Sequence, residues 1–329
     1  MQVITDTFSS LVFGQQQIVH NLCLIPLISS RDDAADYIVL DDALAHHQLK
    51  ITEVSDSGEV PDLLVDNQGS TPVLLLDGEE LVGAKQNRIL NLTLLVPAHG
   101  RLKIPVSCVE AGRWSSVGRE FTTEGYAFFS EGRARKARGV TESMLRRGER
   151  HSRQHEVWDD ISRKSSRMRV HSSTEAARDL YEKNRRSLDD YLQAFSCLEH
   201  QVGGVFLING RVMGMDLFDS SETFRKLFSK LVRSYALDAI DQKGDMAADP
   251  GEPKDAEAFM RKVAQSEVEV QSALGLGDDI RFTGKGLSGG ALSVDGKIKH
   301  LCAFRLPDTE DRFHGRRLSR PARRMRSRR

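Results

Sequence analysis

Short apolar runs, separated by turn-forming residues, dominate the first 115 residues of the chain. The run at residues 17–28 is apolar and contains several β-branched side chains, which predicts a strand. Similar runs interrupted by Gly, Pro, Asn and Ser predict further short strands: ITEV, DLLVDN, PVLLLDG, RILNLTLLVPA and RLKIPVSCVE. LDDALAHHQL, with an acidic first turn, predicts one helix among them. This part of the chain is therefore expected to be rich in sheet.

The pattern changes in the middle of the chain. From Glu131 to about Phe195 the composition becomes charged and the alternation typical of strands disappears. Apolar residues recur near helical spacing in TEAARDLYEKNRRSLDDYLQAF, with Ser173 or Thr174 as a candidate N-cap. We therefore predict a helical middle segment that ends in one long helix.

Strand signals return after residue 200. The sequence VGGVFLINGRVMGMDLFD predicts a hairpin that turns at ING, and VDGK predicts a second hairpin near the end. Between them, SSETFRKLFSKLVRSYALDAI has the apolar face of an amphipathic helix, and a further helix is predicted near residues 256–265. Strands, helices, strands, a helix and strands in this order favour an α+β fold with antiparallel-rich sheets, as one large domain or two intimately packed halves.

Four segments follow from these changes in pattern. Residues 1–130 form a sheet-rich half, residues 131–200 a charged helical segment and residues 201–306 an α+β half. Residues 307–329 form a tail that contains nine Arg within residues 312–329, whereas residues 1–311 carry 38 basic and 47 acidic residues, a net charge of −9. The tail is consistent with binding to nucleic acid or an acidic surface. A disordered, solvated end is the favoured alternative, because the tail has little aromatic content.

The composition bears on compartment and on metal chemistry. No run of 18 apolar residues exists, and the N-terminus lacks the features of a secretory signal, so no membrane association is expected. The four cysteines lie far apart and form no C-x-x-C pair, which favours a reduced, cytoplasmic protein. His151 and His155 have helical spacing, but a polar helix face explains them better than a metal site. No metal and no cofactor are predicted.

The stretch DGEELVGAKQNR, residues 77–88, places four polar side chains directly after an apolar strand. If the strand continued, Lys85 and Asn87 would share one face, and Gln86 and Arg88 the other. One polar pair would then face the packed side of the sheet, which costs free energy unless a ligand or partner satisfies it. A cleft for an anionic or polyhydroxyl ligand would do so. An exposed edge strand, wet on both faces, is the alternative.

A second stretch, IPVSCVEAGRW at residues 104–114, has a similar character. Trp114 is suited to stacking on a flat ring, Arg113 to pairing with phosphate, and Glu110 to accepting hydrogen bonds from ribose hydroxyls. These residue types together favour a nucleotide-like ligand. A small buried thiol at Cys108 beside a rim tryptophan is the structural alternative.

Several stretches together carry a resemblance to a known family: DGEELVGAKQNRILN, IPVSCVEAGRW, HEVWDDI, GGVFLINGRVMGMDLF, SYALDAI and HLCAFRL. The chain resembles, over roughly residues 5–306, the domain named for its association with ADP-ribosylglycohydrolases and rhodanese-phosphatase proteins. The resemblance implies a role in pathways that use NAD or ADP-ribose derivatives, an association that comes from genomic neighbours. The Arg-rich tail lies outside it.

Two functions from different classes are therefore considered. The first is a binding or regulatory module for an ADP-ribose-like or NAD-derived nucleotide, with Glu79, Lys85, Gln86, Asn87, Arg88, Arg113 and Trp114 as ligand-binding residues. The second is a hydrolase or transferase that acts on such a derivative, with Glu79, Glu80 or Glu110 as acid–base group and Cys108 as a possible nucleophile. Convergence of a carboxylate or thiol with residues 85–88 in one pocket would favour the enzyme.

Overall fold

The computed structural model describes residues 2–30, 34–55, 61–113, 117–243 and 250–306. The predicted disordered tail, residues 307–329, lies outside these ranges, and so does Trp114. Within them, no helix is long and apolar enough to cross a membrane.

The described residues form eight helices and eighteen strands. The helices are α1 (Gln2–Ser9), α2 (Leu40–Ala45), α3 (Ser130–Arg147), α4 (Gln154–Arg167), α5 (Ala177–Lys183), α6 (Arg185–Ala194), α7 (Ser221–Asp241) and α8 (Pro253–Ala264). The strands are β1 (Leu11–Phe13), β2 (Gln17–Val19), β3 (Leu22–Ser29), β4 (Ile38–Val39), β5 (Leu49–Glu53), β6 (Asp62–Asn67), β7 (Val73–Leu75), β8 (Glu80–Ala84), β9 (Arg88–Leu90), β10 (Leu94–Val96), β11 (Arg101–Cys108), β12 (Val117–Thr122), β13 (Gln201–Ile208), β14 (Arg211–Phe218), β15 (Glu267–Ser272), β16 (Asp278–Gly284), β17 (Leu287–Val294) and β18 (Lys297–Arg305). The predicted α+β class is confirmed.

A nine-stranded antiparallel sheet joins the N-terminal strands to the C-terminal part of the chain. Its order is β1-β3-β13-β14-β18-β17-β16-β15, with β2 paired to β3. Both predicted hairpins belong to it. The β13–β14 turn has Asn209 and Gly210 at φ 50° and 73°, and the β17–β18 turn has Asp295 and Gly296 at 49° and 74°. Two successive left-handed residues are the geometry that Asn-Gly and Asp-Gly favour in two-residue hairpin turns.

The remaining strands form a closed barrel and a small separate sheet. The barrel order is β11-β6-β5-β12-β8-β9, and β11 closes it by pairing with β6 through its first half and with β9 through its last three residues. The small sheet has the order β10-β7-β4. The strand signals of residues 72–114 also favour adjacent strands of a single sheet, and this prediction is wrong. β8, β9 and β11 are neighbours, but β7 and β10 pair with each other elsewhere.

The helices pack mainly between the large sheet and the barrel. The predicted amphipathic helix at residues 221–241 is confirmed as α7, which buries Phe224, Leu231 and Tyr235 in the largest apolar core. The predicted single helix over residues 174–195 is instead the pair α5 and α6. Asn184 interrupts it with φ −106° and ψ 14°, and its side-chain amide donates to the Leu180 carbonyl at 2.8 Å. An Asn side chain competes in this way for backbone groups inside a helix.

Candidate functional site

Three polar residues near the end of DGEELVGAKQNR form the turn between β8 and β9. Lys85, Gln86 and Asn87 follow the end of β8 at Ala84, and β9 begins at Arg88. The backbone enters this turn through Gly83 at φ 141° and Ala84 at φ 41°. The alternation of strand faces therefore does not apply to these residues, and that part of the sequence argument is wrong. Gln86 and Asn87 are nevertheless buried, whereas Lys85 is only partly so.

Gln86 and Asn87 are held by residues of the second predicted motif. The Gln86 amide donates to the Glu110 carbonyl at 2.8 Å, and the Asn87 backbone N–H donates to Glu110 Oε2 at 3.3 Å. Arg113 donates from Nε to Glu110 Oε2 at 2.8 Å and from Nη2 to Asn87 Oδ1 at 3.0 Å. Two segments more than twenty residues apart thus form one hydrogen-bonded group, with the Arg113 side chain 16% exposed at its rim.

Arg88 contacts this group only through Gln86, because its side chain lies on the inner face of the barrel. It is fully buried and stands opposite Cys108 on β11 and Leu81 on β8. Its Nη1 donates to the Gln86 carbonyl at 3.2 Å and to Gln86 Oε1 at 3.1 Å, and Nη2 lies 3.9 Å from Glu53 Oε1. Among the described residues, Nε and Nη2 of Arg88 and both carboxylate oxygens of Glu53 have no hydrogen-bond partner.

Cys108 shares this interior position. The pKa of its thiol is raised to about 11, chiefly by burial; the Arg88 guanidinium opposes this rise and the Glu53 carboxylate adds to it. A thiolate is the nucleophilic form of cysteine, so a raised pKa in a buried position makes a poor nucleophile. The geometry favours the structural alternative for Cys108.

Glu80 points to the opposite side of β8 from Leu81 and carries the unusual carboxyl of the region. It is 4% exposed, and neither carboxyl oxygen has a hydrogen-bond partner among the described residues. Burial raises its pKa to about 8; Arg178 counteracts the rise, and Glu124, Glu110 and Glu182 add to it. At neutral pH this carboxyl is therefore mostly protonated.

The pKa of Glu110 is shifted in the opposite direction, below its ordinary value. Burial alone would raise its pKa, but the hydrogen bonds from Arg113 and Thr174 hold it below the usual range. The pKa values of the two carboxyl groups are thus shifted in opposite directions. Glu80 favours the protonated form and Glu110 the ionised form. Such a split is typical of an acid and base pair.

Half-exposed charged residues from α5 and from the loop before α3 border Glu80. The Arg178 guanidinium forms an ion pair with Glu124, and the Tyr126 hydroxyl donates to Glu182 Oε1 at 2.9 Å. The Arg178 side chain is 30% exposed. We call Glu80, Glu110, Arg113 and Arg178, together with their neighbours Gln86, Asn87, Glu124, Tyr126 and Glu182, the Glu80 site.

Glu79, although adjacent in sequence, is directed elsewhere. It is fully buried, with Oε1 bonded to Lys230 Nζ on α7 and Oε2 accepting from the Leu76 N–H at 3.1 Å. Lys230 also contacts Asp41 at 2.6 Å. Glu79 is therefore a paired structural carboxylate, separated in function from Glu80.

The structure also contains a buried charge cluster that the sequence argument did not find. Arg133 on α3 donates from Nη2 and Nη1 to the two oxygens of Asp216 at 2.6 and 3.1 Å, and from Nε to Asp77 Oδ1 at 3.1 Å. Lys136 Nζ donates to Asp77 Oδ2 at 2.5 Å, and His300 Nε2 lies 3.3 Å from Asp216 Oδ1. All five side chains are at most 2% exposed.

This cluster is a fully paired network. Burial would raise the pKa of Asp216, but the Arg133 guanidinium and His300 hold it well below its ordinary value. The Tyr235 hydroxyl donates to the same carboxylate at 3.0 Å. Two features of the sequence could have indicated this cluster. One is the aspartate inside the apolar strand MGMDLF, and the other is a pair of cations on the same helical face as Ala137 and Val140. Because every charge has a counter-charge, removal of any one partner would leave a buried charge unpaired, and the cluster is not a free ligand site.

Both groups of residues lie within a segment that matches a known family. A model of the ARG and Rhodanese-Phosphatase-superfamily-associated Protein domain, ARPP-1, matches residues 10–304. The chain belongs to this family. It matches no curated protein and no solved structure.

The ARPP-1 match covers the barrel, the large sheet and the helices between them. Asp77, Asp216 and His300, from three of the motifs that carried the resemblance, meet in the buried charge cluster, while Gln86, Glu110 and Arg113 meet in the Glu80 site. In the described part of the ARPP-1 domain, no group of three or more His, Cys, Asp or Glu side chains has the arrangement of a metal site.

Proposed function

We propose that the ARPP-1 domain binds a nucleotide-like ligand, an ADP-ribose or NAD derivative, at the Glu80 site. The observation that carries the proposal is the assembly of Gln86, Asn87, Glu110 and Arg113 into one hydrogen-bonded group beside the unpaired carboxyl of Glu80. Buried polar atoms without partners are rare in native proteins and mark positions where a further group can bind.

The chemistry of the site matches the parts of such a ligand. Carboxylates accept hydrogen bonds from ribose hydroxyls, and Glu110, Glu124 and Glu182 lie within electrostatic reach of Glu80. Guanidinium groups pair with phosphate oxygens in two-pronged geometry, and Arg113 and Arg178 are both partly exposed at the rim. The role of Trp114 as a stacking platform remains a prediction.

Titration calorimetry with ADP-ribose, NAD, AMP and ribose 5-phosphate tests the proposal. Arg113→Ala removes a charge-assisted contact worth roughly 1.5–3 kcal/mol, which corresponds to about ten- to a hundredfold in affinity. Arg101→Ala, at the exposed start of β11, is the control and should bind like the wild type. If none of the four compounds binds the wild-type protein, the proposal fails.

A hydrolase or transferase acting on an ADP-ribose derivative is the second candidate. It is favoured by the opposed pKa shifts of Glu80 and Glu110, which suit Glu80 as general acid and Glu110 as general base. Product formation from ADP-ribose derivatives, measured by chromatography, should then require both carboxylates. Glu80→Gln and Glu110→Gln would abolish turnover, and Cys108→Ala would retain it. Tight binding with no product in any assay supports the binding module.

The proposal includes a reducing, cytoplasmic compartment, which the widely spaced cysteines favour. It also retains the Arg-rich tail as a segment that could contact nucleic acid or an acidic surface. Binding of duplex DNA, measured at several salt concentrations for the full chain and for a chain without the tail, would test the second point. Deletion of the tail should remove the salt-dependent binding.

A further inference from the structure

A polar pocket of about 390 Å³ lies where α4 ends and the chain continues toward α5. Its volume falls within the range of small-molecule sites. Four serines line it, Ser162, Ser165, Ser166 and Ser172, while Ile161 and Val170 supply apolar surface. The Ser166 hydroxyl donates to the Ser162 carbonyl at 2.9 Å, and Ser172 Oγ accepts from the Ala176 N–H at 2.9 Å, which leaves the Ser172 hydrogen free to donate. The pocket belongs to neither the Glu80 site nor the buried charge cluster.

The charged groups in the lining favour an anion. Arg169 and His171 contribute donors, and Glu175 is the one carboxylate among the lining residues. The carbonyls of the last turn of α4, which would repel an anion, are already occupied: Ser166 O accepts from the Arg169 N–H at 3.3 Å and Ser165 O from the Val170 N–H at 2.9 Å. Hydroxyls together with a guanidinium are the usual ligands of a phosphate group.

The backbone at both ends of this lining is in an uncommon conformation. Arg169 has φ 54° and Glu175 has φ 53°, in the left-handed region that non-glycine residues seldom adopt. Arg169 directly follows Met168, the C-cap of α4, where a left-handed residue commonly ends a helix. The same region of the chain then reaches Glu175, so the helix end and residue 175 both border the pocket.

The segment of residues 171–176 connects this pocket to the Glu80 site. Ser172 and Glu175 line the pocket. Thr174 O accepts from the Gly112 N–H at 2.8 Å, and the Thr174 side chain bonds to Glu110. A Cβ at Gly112 would lie 2.9 Å from Thr174 Cα, so this close approach requires glycine. One short segment thus has the pocket on one side and Glu110 on the other.

We infer that this pocket is a phosphate subsite, with Arg169, His171 and the hydroxyls of Ser162, Ser165 and Ser172 as its ligands. Its assignment to the phosphate end of a nucleotide rests on the proposed function; a free phosphate or pyrophosphate ion carries the same chemistry. Glu175 opposes the anion and weakens the site.

Calorimetry on the full chain with inorganic pyrophosphate, phosphate and ADP-ribose tests the subsite. Arg169→Asn removes the guanidinium while retaining a residue that tolerates the left-handed conformation, and it should weaken pyrophosphate binding by about tenfold or more. Glu175→Asn removes the opposing charge under the same backbone constraint and should strengthen binding. Opposite signs in two matched variants exclude a general loss of folding as the cause.

The outcomes separate the subsite from the proposed function. Opposite shifts for pyrophosphate with no ADP-ribose binding would support the pocket as a free-phosphate site and refute the nucleotide proposal. ADP-ribose binding that Arg113→Ala weakens and Arg169→Asn leaves unchanged would overturn the subsite and retain the proposed function. Equal pyrophosphate affinity in the wild type and both variants, or no pyrophosphate binding by any of them, would also overturn it.

Discussion

Two fully buried arginines, Arg88 and Arg133, should respond very differently to the same substitution. Methionine has a similar length and carries no charge, so Arg→Met at each position removes the guanidinium while filling much of its volume. Arg133 faces two carboxylates, at 2.6–3.1 Å. Arg88 bonds to uncharged oxygens of Gln86 and lies 3.9 Å from Glu53.

The expected magnitudes follow from these contacts. Arg133→Met leaves Asp216 buried with only Tyr235 and His300 as partners, which should cost about 3–5 kcal/mol. Arg88→Met loses two hydrogen bonds worth about 1.5–3 kcal/mol each and leaves the Glu53 carboxyl, 3.9 Å away, without its cation, but it also removes two unsatisfied buried donors whose desolvation costs about 1–3 kcal/mol each. These terms partly cancel, so the free energy of unfolding should fall by clearly less than for Arg133→Met.

Urea unfolding at pH 7 measures both variants, and acid titration adds an independent check. The pKa of Asp216 is lowered in the folded protein, so its stabilisation is present above the unfolded value of about 3.9 and is lost as the pH falls. The gap between wild type and Arg133→Met should therefore narrow below about pH 4. If Arg88→Met destabilises the protein as much as Arg133→Met, the cancellation argued for Arg88 is refuted.

Three further predictions concern single positions and the tail. The pKa of Glu80 is raised to about 8 in the folded state, so the free energy of unfolding of the wild type should fall as the pH rises from about 4.3 to 8. Glu80→Gln should remove this fall, and an unchanged dependence of the unfolding free energy on pH would contradict the assignment. Gly83→Ala places a Cβ 2.6 Å from the Glu120 carbonyl oxygen and should lower the urea midpoint more than Gly118→Ala, whose Cβ meets no described atom within 4 Å; equal midpoints would refute the steric argument. Deletion of residues 308–329 should leave the melting temperature nearly unchanged, because this segment lacks periodic apolar positions, and a drop of many degrees would show that it packs on the body.

Local signals in the sequence predicted those elements whose geometry is set by nearby residues. The Asn209-Gly210 and Asp295-Gly296 turns and the periodic apolar face of α7 are of this kind. Barrel closure is different, since β11 must pair with β6 through one half and β9 through the other, and no local pattern encodes both partners. The sequence could therefore indicate the class of fold but not the topology.

The candidate site was predicted in part for a similar reason. Proximity of Gln86, Asn87 and Arg113 to Glu110 agrees with the grouping of the two motifs, but the direction of Arg88 depends on barrel closure. Arg133 and Lys136 lie in the charged helical segment, and its composition gave no sign that these two cations are buried. Only the three-dimensional arrangement shows that their counter-charges come from distant strands.

Helix α7 has a consequence for how the molecule can move. Three residues that span about 12 Å along its axis each make a buried contact with a different part of the fold. Lys230 bonds to Glu79 beside the barrel, Tyr235 to Asp216 in the large sheet, and Asp238 to Lys164 on α4. A slide or rotation of this helix would break all three buried contacts together. The barrel and the sheet should therefore not open like two halves on a hinge, and amide protons of central α7 should exchange with solvent only when the whole domain unfolds.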